Sequence, residues 1–405
     1  MIKVENKISE KIFDKKIFTE ELDKTAKLMA SLPEMDMAGW MELPERMMDE
    51  LEDIKESAKK IQQESEYLVC LGIGGSYLGS RAVLEALKSK SSKNTQLLFS
   101  GNSFSRIEIE RVLEQVKGKD FSINVISKSG TTRETAMAFA VFKQTLIDRY
   151  GKEEAARRIY ATTDQSKGKL YEEAAKENYK TFVIPDDVGG RYSVLSPVGL
   201  LPLAVAGLDV EALIRGAQQE KEEQGTQALS AGKYAALRNM LYRLGYKTEV
   251  MAVFEPSWAY MNEWYKQLFG ESEGKDHKGI FPASVVYSTD LHSMGQYMQS
   301  GRRELFETFL AIKDNDMLTD KQNEQLEKFS KTNQAALEAT ERAHIEGGVP
   351  VIELSLDKWD EHAIGAYIYF MELSCALSAL MLGVNPFDQP GVEKYKQKMK
   401  EILGE

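Results

Sequence analysis

Runs of apolar residues that end in short polar loops alternate with helical spacing along most of the chain. Phe121–Ile126 is such a run, and apolar positions recur three or four residues apart from Ala136 to Ile147 after it. An earlier run at 67–71 is followed by helical spacing in the same way. An apolar run before a turn predicts a buried strand, and the later spacing predicts an amphipathic helix. The alternation therefore predicts parallel strands joined by helices.

The alternation continues into the C-terminal half and predicts two domains. The predicted strands are 67–71, 96–99, 121–126, 158–162 and 181–184 in the first, and 248–254, 285–287, 304–310 and 349–354 in the second. A chain of 405 residues is long enough for both. We predict an α/β fold of two doubly wound parallel-sheet domains flanked by helices. The expected parts are a helical N-terminal segment at 1–60, a first domain at 61–210 and a second domain at 211–405.

The loop 127–132 lies between a predicted strand and a predicted helix. Its hydroxyl groups belong to Ser127, Ser129, Thr131 and Thr132. Thr131 and Glu134 fit a capping box, which predicts that the helix begins there. The first N–H groups of a helix lack partners and the helix dipole favours an anion, so this geometry predicts a phosphate site. The alternative is a capped helix that binds nothing.

The turn 72–76, after the first predicted strand, is rich in glycine. It lacks the acidic residue that completes a dinucleotide fingerprint, and Ser80 stands where a nucleotide P-loop needs lysine. What remains is a turn that brings the backbone close to a small ligand, with Ser76 as a hydroxyl donor. Ligands of open parallel sheets bind at the carboxyl ends of the strands. We therefore expect the two hydroxyl loops, 72–76 and 127–132, to share one site.

Arg191 follows two glycines and precedes an apolar helix. Paired glycines let the backbone turn tightly, so the guanidinium could point into a cleft. The alternative is a surface ion pair with Asp186 or Asp187.

Glu271 is predicted to lie just past a helix at 258–270. Gln267 precedes it by four residues and shares its helical face. A placed carboxylate can act as a general base near neutral pH. The alternative is a solvated acidic turn.

Two further segments carry polar groups in turn-like surroundings. His292 lies in a polar, glycine-containing turn, where a plain surface histidine is the alternative. Pro390 fits the first position of a C-terminal helix. Such a helix would present Gln389, Glu393 and Lys396 on one face, where they could meet a polyol. The alternative there is an ordinary soluble helix.

Composition narrows the classes of function. A net charge of −11 argues against nucleic acid and anionic membranes as main partners. Cys70 and Cys375 lie in apolar runs, which is typical of a reduced cytoplasmic protein. The N-terminus has no signal-peptide core, and no apolar run is expected to span a membrane. The four histidines lack metal-ligand spacing, so we expect no metal.

Taken together, the motifs resemble the glucose-6-phosphate isomerase (phosphoglucose isomerase) family over roughly residues 65–400. Three blocks are specific in combination: 186–199 around Gly-Gly-Arg-Tyr-Ser, 271–275, and 387–396 around Asp-Gln-x-Gly-Val-Glu-x-x-Lys. The two hydroxyl loops resemble the more widespread sugar-isomerase module. The resemblance implies two sugar-isomerase domains in a homodimer, with the active site at the subunit interface and no cofactor.

The resemblance also implies a role for individual residues. It implies that the substrate phosphate is held by Ser76, Ser127, Ser129 and Thr132, with N–H groups of Gly75 and Lys128. Glu271 would move a proton between C2 and C1, and Arg191 would stabilise the enediolate. His292, from the neighbouring subunit, and Lys396 would assist ring opening. The residues implied to line the sugar site are Gln267 and Gln389.

The sequence departs from the long form of the family and is similar to the short bacterial form. Longer members have Gly-Gln-His where this chain has Asp-Leu-His-Ser-Met around His292. Two alternatives stay open. One is an isomerase that also accepts mannose 6-phosphate. The other is a non-catalytic sugar-phosphate sensor, which would keep the hydroxyl loops but has no need of Arg191, Glu271 and Lys396 together.

Overall fold

The structure is a computed structural model that describes residues 2–87, 95–225, 229–314 and 324–404. Its described strands form two separate sheets. Helices surround both sheets, which gives the α/β architecture that the apolar pattern predicts.

The first sheet is wholly parallel, with the strand order β3-β2-β4-β5-β6. Its strands are β2 (Tyr67–Leu71), β3 (Gln96–Ser100), β4 (Phe121–Ile126), β5 (Ile159–Thr163) and β6 (Lys180–Val183). From β2 the chain first adds β3 on one side and then adds β4, β5 and β6 on the other side. The strand order therefore reverses between β2 and β4. A reversal of this kind leaves a crevice at the carboxyl ends of the two central strands.

The second sheet repeats this order in its parallel part, β10-β9-β7-β8. Its strands are β7 (Thr248–Val253), β8 (Phe281–Val286), β9 (Leu305–Asp314) and β10 (Val351–Lys358), with β1 (Lys3–Asn6) at the edge. β1 pairs antiparallel with β10. The prediction that the first residues are helical is therefore wrong at Lys3–Asn6. Four residues are too few for sequence periodicity to reveal a strand, and a partner about 350 positions away fixes it.

Helices connect the strands and cover both sheets. In the first half they are α1 (Lys15–Leu22), α2 (Thr25–Ser31), α3 (Leu43–Glu64), α4 (Leu78–Ala86), α5 (Arg106–Val116), α6 (Arg133–Tyr150), α7 (Lys152–Arg157), α8 (Lys169–Glu177) and α9 (Pro197–Val205). In the second half they are α10 (Val210–Gln224), α11 (Leu229–Arg243), α12 (Ala259–Glu273), α13 (Gly295–Ser300), α14 (Glu324–Glu346), α15 (Glu361–Met381) and α16 (Glu393–Leu403).

The central helix α15 is the most apolar long element of the described chain. By length and composition alone it could cross a membrane, so the expectation that no apolar run is long enough is wrong. However, 89% of its apolar window is buried inside the protein. It packs against α10, α11 and α12. Burial on all sides explains why its sequence is apolar all round, so α15 is a core helix.

The predicted domain limits are compatible with the sheets without being fixed by them. The strands of the first sheet fall inside 61–210, and the parallel strands of the second fall inside 211–405. β1 crosses this division, and α3 packs on both α9 and α10. The limits stay a prediction.

Glu372, in α15, is fully buried. Neither oxygen of its carboxyl group has a hydrogen-bond partner among the described residues. Burial raises the pKa of the Glu372 carboxyl well above its ordinary value of 4.5. The folded protein therefore holds this side chain in its neutral form, at a cost to stability.

We expect Glu372→Gln to remove a pH-dependent loss of stability. Above pH 4.5 the unfolded chain loses this proton while the folded protein keeps it, so unfolding becomes more favourable as the pH rises towards the raised pKa. The loss is at most about 1.4 kcal/mol for each pH unit. Melting temperatures measured from about pH 5 to about pH 8 should fall less steeply for the variant than for the wild type.

The matched control is Glu222→Gln, at an exposed position of α10. It should leave the wild-type pH dependence intact. Parallel curves for Glu372→Gln and the wild type would contradict the role assigned to Glu372.

Candidate active site

The two hydroxyl loops follow β2 and β4, the central strands of the first sheet, where its strand order reverses. A cleft of about 1420 Å³ opens there. It is also lined by the end of α12 and by α16. The predicted site residues that line it are Gly75, Ser76, Ser127, Lys128, Ser129, Thr132, Arg191, Gln267, Glu271, Gln389 and Lys396. The structure thus brings motifs that are distant in sequence together around one cleft.

The first hydroxyl loop packs tightly against the segment that carries Arg191. Gly74–Ser76 form a turn of 3-10 helix after β2. A Cβ on Gly75 would lie 1.9 Å from the carbonyl oxygen of Gly190, which is far inside van der Waals contact. Only glycine allows this approach, and it fixes the distance between the first hydroxyl loop and Arg191.

The second hydroxyl loop is held by its own hydrogen bonds. The Ser127 hydroxyl accepts from the Gly130 N–H at 3.0 Å, and the hydroxyls of Ser129 and Thr131 are 2.8 Å apart. α6 begins at Arg133 with Thr132 as its N-cap and with no capping hydrogen bond from the Thr132 side chain. The predicted capping box at Thr131 is therefore wrong, because the Thr131 hydroxyl bonds Ser129 instead.

The uncapped N-terminus of α6 suits an anion. Thr132 and Arg133 line the cleft, and the N–H groups of a first helical turn have no intrahelical partner. The helix dipole adds a partial positive charge at the same place. The loop therefore keeps the features from which a phosphate site was predicted.

Arg191 is buried and makes contacts in three directions. Its Nε donates to the Ser272 hydroxyl at 2.8 Å, and one terminal nitrogen donates to the Glu271 carboxylate at 3.4 Å. The other donates to the carbonyl of Pro386 and, at 3.2 Å, to that of Asp388. The surface alternative for Arg191 is thus wrong.

Asp186 and Asp187, the partners of Arg191 in the surface alternative, are bound by other residues. Asp187 pairs with Arg46 at 2.7 Å, and Lys128 donates to the carbonyl of Asp186 at 2.9 Å. The hydrogen bonds from Arg46 hold the pKa of Asp187 below its ordinary value.

Glu271 lies in the last turn of α12, since the helix continues to Glu273. The prediction that Glu271 follows the helix is wrong, because Gly270 does not end it. Gln267 donates to one carboxylate oxygen at 3.2 Å, and Gln389 donates to the other at 2.6 Å. With Arg191 on the second oxygen as well, the carboxylate is oriented from three sides and stays partly open to the cleft.

The segment before α16 is tied down by Lys275. The Lys275 ammonium donates to the carbonyl of Asn385 and pairs with Asp388 at 2.8 Å. Burial lowers the pKa of Lys275, and the hydrogen bond to Asp388 opposes this shift. The residue thus fixes the backbone that delivers Gln389.

α16 begins later than its sequence indicates. Pro390–Val392 form a 3-10 turn and the α-helix starts at Glu393, so the prediction that Pro390 opens the α-helix is wrong. Lys396 lies on the exposed surface of α16 and lines the cleft.

His292 is a predicted site residue that does not line the cleft of its own chain. It ends the 3-10 turn Thr289–His292, which follows β8, and its side chain is exposed. The structure therefore places it where another molecule can reach it.

Sequence reasoning missed residues that hold the others in place. Ser272 is fully buried and accepts the Arg191 hydrogen bond. Asp164 lines the cleft, and the backbone N–H groups of Ser166 and Lys167 lower its pKa by hydrogen bonding to its carboxylate. A serine after a glutamate carries no sequence signal of its own. Asp164 follows a predicted strand, and that position at a carboxyl strand end could have marked it.

Within the four described ranges, no group of three or more His, Cys, Asp or Glu side chains is arranged to hold a metal ion. Among the groups that line the cleft are the Glu271 carboxylate, the fixed Arg191 guanidinium and the neutral hydroxyl and N–H donors of the two hydroxyl loops. These groups can bind an anion and transfer a proton beside it.

Comparisons with known proteins agree with this chemistry. A family model described as phosphoglucose isomerase matches residues 24–280. Glucose-6-phosphate isomerase of Staphylococcus saprophyticus is 49% identical over 386 residues, covering 91% of this chain and 87% of that protein.

Two solved structures are similar over the whole chain. A hypothetical protein from Thermus thermophilus has a TM-score of 0.88 at 28% identity and full coverage of both chains. A glucose-6-phosphate isomerase from Chlamydia trachomatis has a TM-score of 0.86 at 20% identity, covering 100% of this chain and 88% of that one. The second likeness speaks for the fold alone.

Proposed function

The chain belongs to the phosphoglucose isomerase family, and we propose that its cleft interconverts glucose 6-phosphate and fructose 6-phosphate through a cis-enediol(ate). The observation that carries the proposal is the carboxylate of Glu271, held by Gln267 and Gln389 within 3.4 Å of the buried guanidinium of Arg191. A base beside a fixed cation is what proton transfer next to a carbonyl requires.

Glu271 acts as the base on the open-chain sugar. It takes the proton from C2 of glucose 6-phosphate, and the C–H electron pair forms the C1–C2 double bond while the carbonyl electrons move to oxygen. The hydroxyl proton on O2 is transferred to O1, and the same carboxyl group then returns its proton to C1. The electron pair left on O2 forms the ketone at C2 as the C1–C2 double bond becomes a single bond. One carboxylate suffices because both transfers occur on one face of the enediol.

Arg191 stabilises the negative charge that grows on the oxygens at C1 and C2. Arginine suits this role because it stays charged and does not compete as an acid. Its contacts with Ser272 and the Pro386 carbonyl hold the guanidinium before the substrate arrives. Little reorganisation is then needed as the charge develops.

The two hydroxyl loops bind the phosphate. The donors proposed for it are the hydroxyls of Ser76, Ser127, Ser129 and Thr132 and the N–H groups of Gly75 and Lys128. The N-terminus of α6 supplies further N–H groups and the dipole. Neutral donors bind the anion locally, which fits a chain whose net charge is −11.

We propose that the active enzyme is a homodimer and that His292 and Lys396 assist opening of the sugar ring. Lys396 lines the cleft of its own chain. His292 is exposed and lies outside that cleft, which supports a role in the cleft of the partner subunit. Under this arrangement each active site needs residues from both chains.

The sensor alternative is disfavoured by the contents of the cleft. A protein that only binds a sugar phosphate does not need Arg191, Glu271 and Lys396 beside the hydroxyl loops, and all three line one cleft. Whether the enzyme also accepts mannose 6-phosphate depends on how the cleft fits the substrate around C2. An isomerase assay with mannose 6-phosphate as the substrate tests this.

We place the enzyme in the cytoplasm, with a sugar phosphate rather than nucleic acid or a membrane as its partner. Cys70 and Cys375 are free and buried, which suits a reducing compartment. The net charge of −11 disfavours polyanions.

We expect Glu271→Gln to lose at least about a thousandfold in kcat, because the amide cannot accept the C2 proton. KM should stay within about threefold, since phosphate binding lies in the hydroxyl loops. The assay follows fructose 6-phosphate in ²H₂O, where the wild type should place deuterium at C2 of the glucose product.

Glu263→Gln, at an exposed position of the same helix, is the control and should behave as the wild type. If Glu271→Gln kept wild-type turnover and labelling, Glu271 could not be the base.

The shared site predicts complementation between two inactive variants. Co-expression of Glu271→Gln with His292→Ala gives mixed dimers in which one site has both defects and the other has none. Random assortment should restore about one quarter of wild-type activity if His292 acts across the interface. If His292 acts within its own chain, no site is intact and the activity stays at the level of the parent variants.

A further inference from the structure

A buried ionic network lies behind the end of α12, on the side away from the cleft. It is made of Arg238 from α11, Glu249 from β7 and Glu273 from α12, all fully buried. The Arg238 Nε donates to Glu249 at 2.7 Å. Its two terminal nitrogens donate to the two carboxylate oxygens of Glu273. One guanidinium thus joins the second sheet to the last residue of α12.

The network is closed by hydroxyl groups. Tyr234, Tyr265 and Thr308 donate to the Glu249 carboxylate at 2.6 to 2.7 Å. One terminal nitrogen of Arg238 also donates to Ser378 in α15 at 2.6 Å. A buried ion pair rarely adds net stability, yet breaking one is costly. A network with this many donors fixes geometry more than it adds stability.

The last turn of α12 needs such fixing. It runs from Gly270 to Glu273, and Gly274 is its C-cap. Glycine weakens a helix, and helix ends fray because their carbonyl groups lack partners. The turn nevertheless carries the proposed base, so its rotation decides where the Glu271 carboxylate points.

Three consecutive side chains of this turn face three directions, about 100° apart around the helix. Glu271 faces the cleft and Ser272 accepts from Arg191. Glu273 points inward to Arg238. If Glu273 is held, the helix cannot rotate, and Glu271 and Ser272 keep their places on either side of the Arg191 guanidinium.

We propose that Arg238, through its hydrogen bonds to Glu273, is a positioning residue for the proton transfer. This inference rests on the proposed function, since it concerns the base of that reaction. Arg238 is not among the described residues that line the cleft, and its link to the base runs through Glu273 in α12. A base displaced by about 1 Å can lose about a hundredfold in rate, so a distant anchor can govern kcat.

Substitution of Glu273 tests the inference more sharply than removal of Arg238. Removing Arg238 would leave two buried carboxylates without their cation, whereas Glu273→Leu leaves Arg238 paired with Glu249. We expect Glu273→Leu to lower kcat by about 10- to 100-fold and to change KM less than about threefold. Glu273→Gln keeps an oxygen that can accept from Arg238, and its kcat should stay within about threefold of the wild type.

Arg238→Lys is the second variant and guards against a leucine variant that does not fold. It keeps the buried charge, but a single ammonium cannot reproduce the bidentate contact with Glu273. The same loss of kcat at nearly constant KM is expected. All rates are measured well below the melting temperature of each variant, so that loss of folded protein does not mimic loss of turnover.

Glu220→Leu is the matched control. Glu220 is also a fully buried carboxylate, but it accepts its hydrogen bonds from the Gln224 side chain and the Ile2 amide, and neither donor lies in α12. It should keep wild-type kcat. Wild-type kcat in folded Glu273→Leu, or equal losses in Glu273→Leu and Glu273→Gln, would overturn the inference. A wild type without isomerase activity would instead overturn the proposed function.

Discussion

The buried guanidinium of Arg191 is the constraint on which the site depends. It contacts the end of α12 through Ser272 and Glu271, and it contacts the segment before α16 through the carbonyl groups of Pro386 and Asp388. A charge taken out of water is costly unless every donor is satisfied. Arg191 therefore holds these segments around itself, and the arrangement leaves the Glu271 carboxylate partly open to the cleft.

The two sheets share a strand order and contribute differently to the cleft. The first presents the hydroxyl loops at the point where its strand order reverses, which is where open parallel sheets bind ligands. The second half contributes α12, which carries the proposed base, and anchors it from behind through Glu249 in β7. The residues proposed for anion binding and for proton transfer thus come from different halves, and the close approach of Gly75 to Gly190 keeps the first hydroxyl loop close to Arg191.

The sequence reveals features that depend on neighbouring residues and hides those that depend on distant ones. Strand, loop and helix order could be read from apolar spacing, and three motifs marked Arg191, Glu271 and Gln389. The end of α12, the strand β1 and the Arg238 network could not be predicted. Each is fixed by partners far along the chain, such as β10 for β1 and Arg238 for Glu273. Local signals also misplaced the start of α6, because Thr131 bonds Ser129 and leaves the helix uncapped.

We propose that the fixed Arg191 guanidinium stabilises the charge that develops on the sugar oxygens. Steady-state kinetics of Arg191→Lys with fructose 6-phosphate test this role. Lysine keeps the charge but cannot bond Ser272, Glu271 and the Pro386 carbonyl together. We expect kcat to fall by about a hundredfold to a thousandfold while KM changes less than about tenfold. A kcat within about threefold of the wild type would contradict this role.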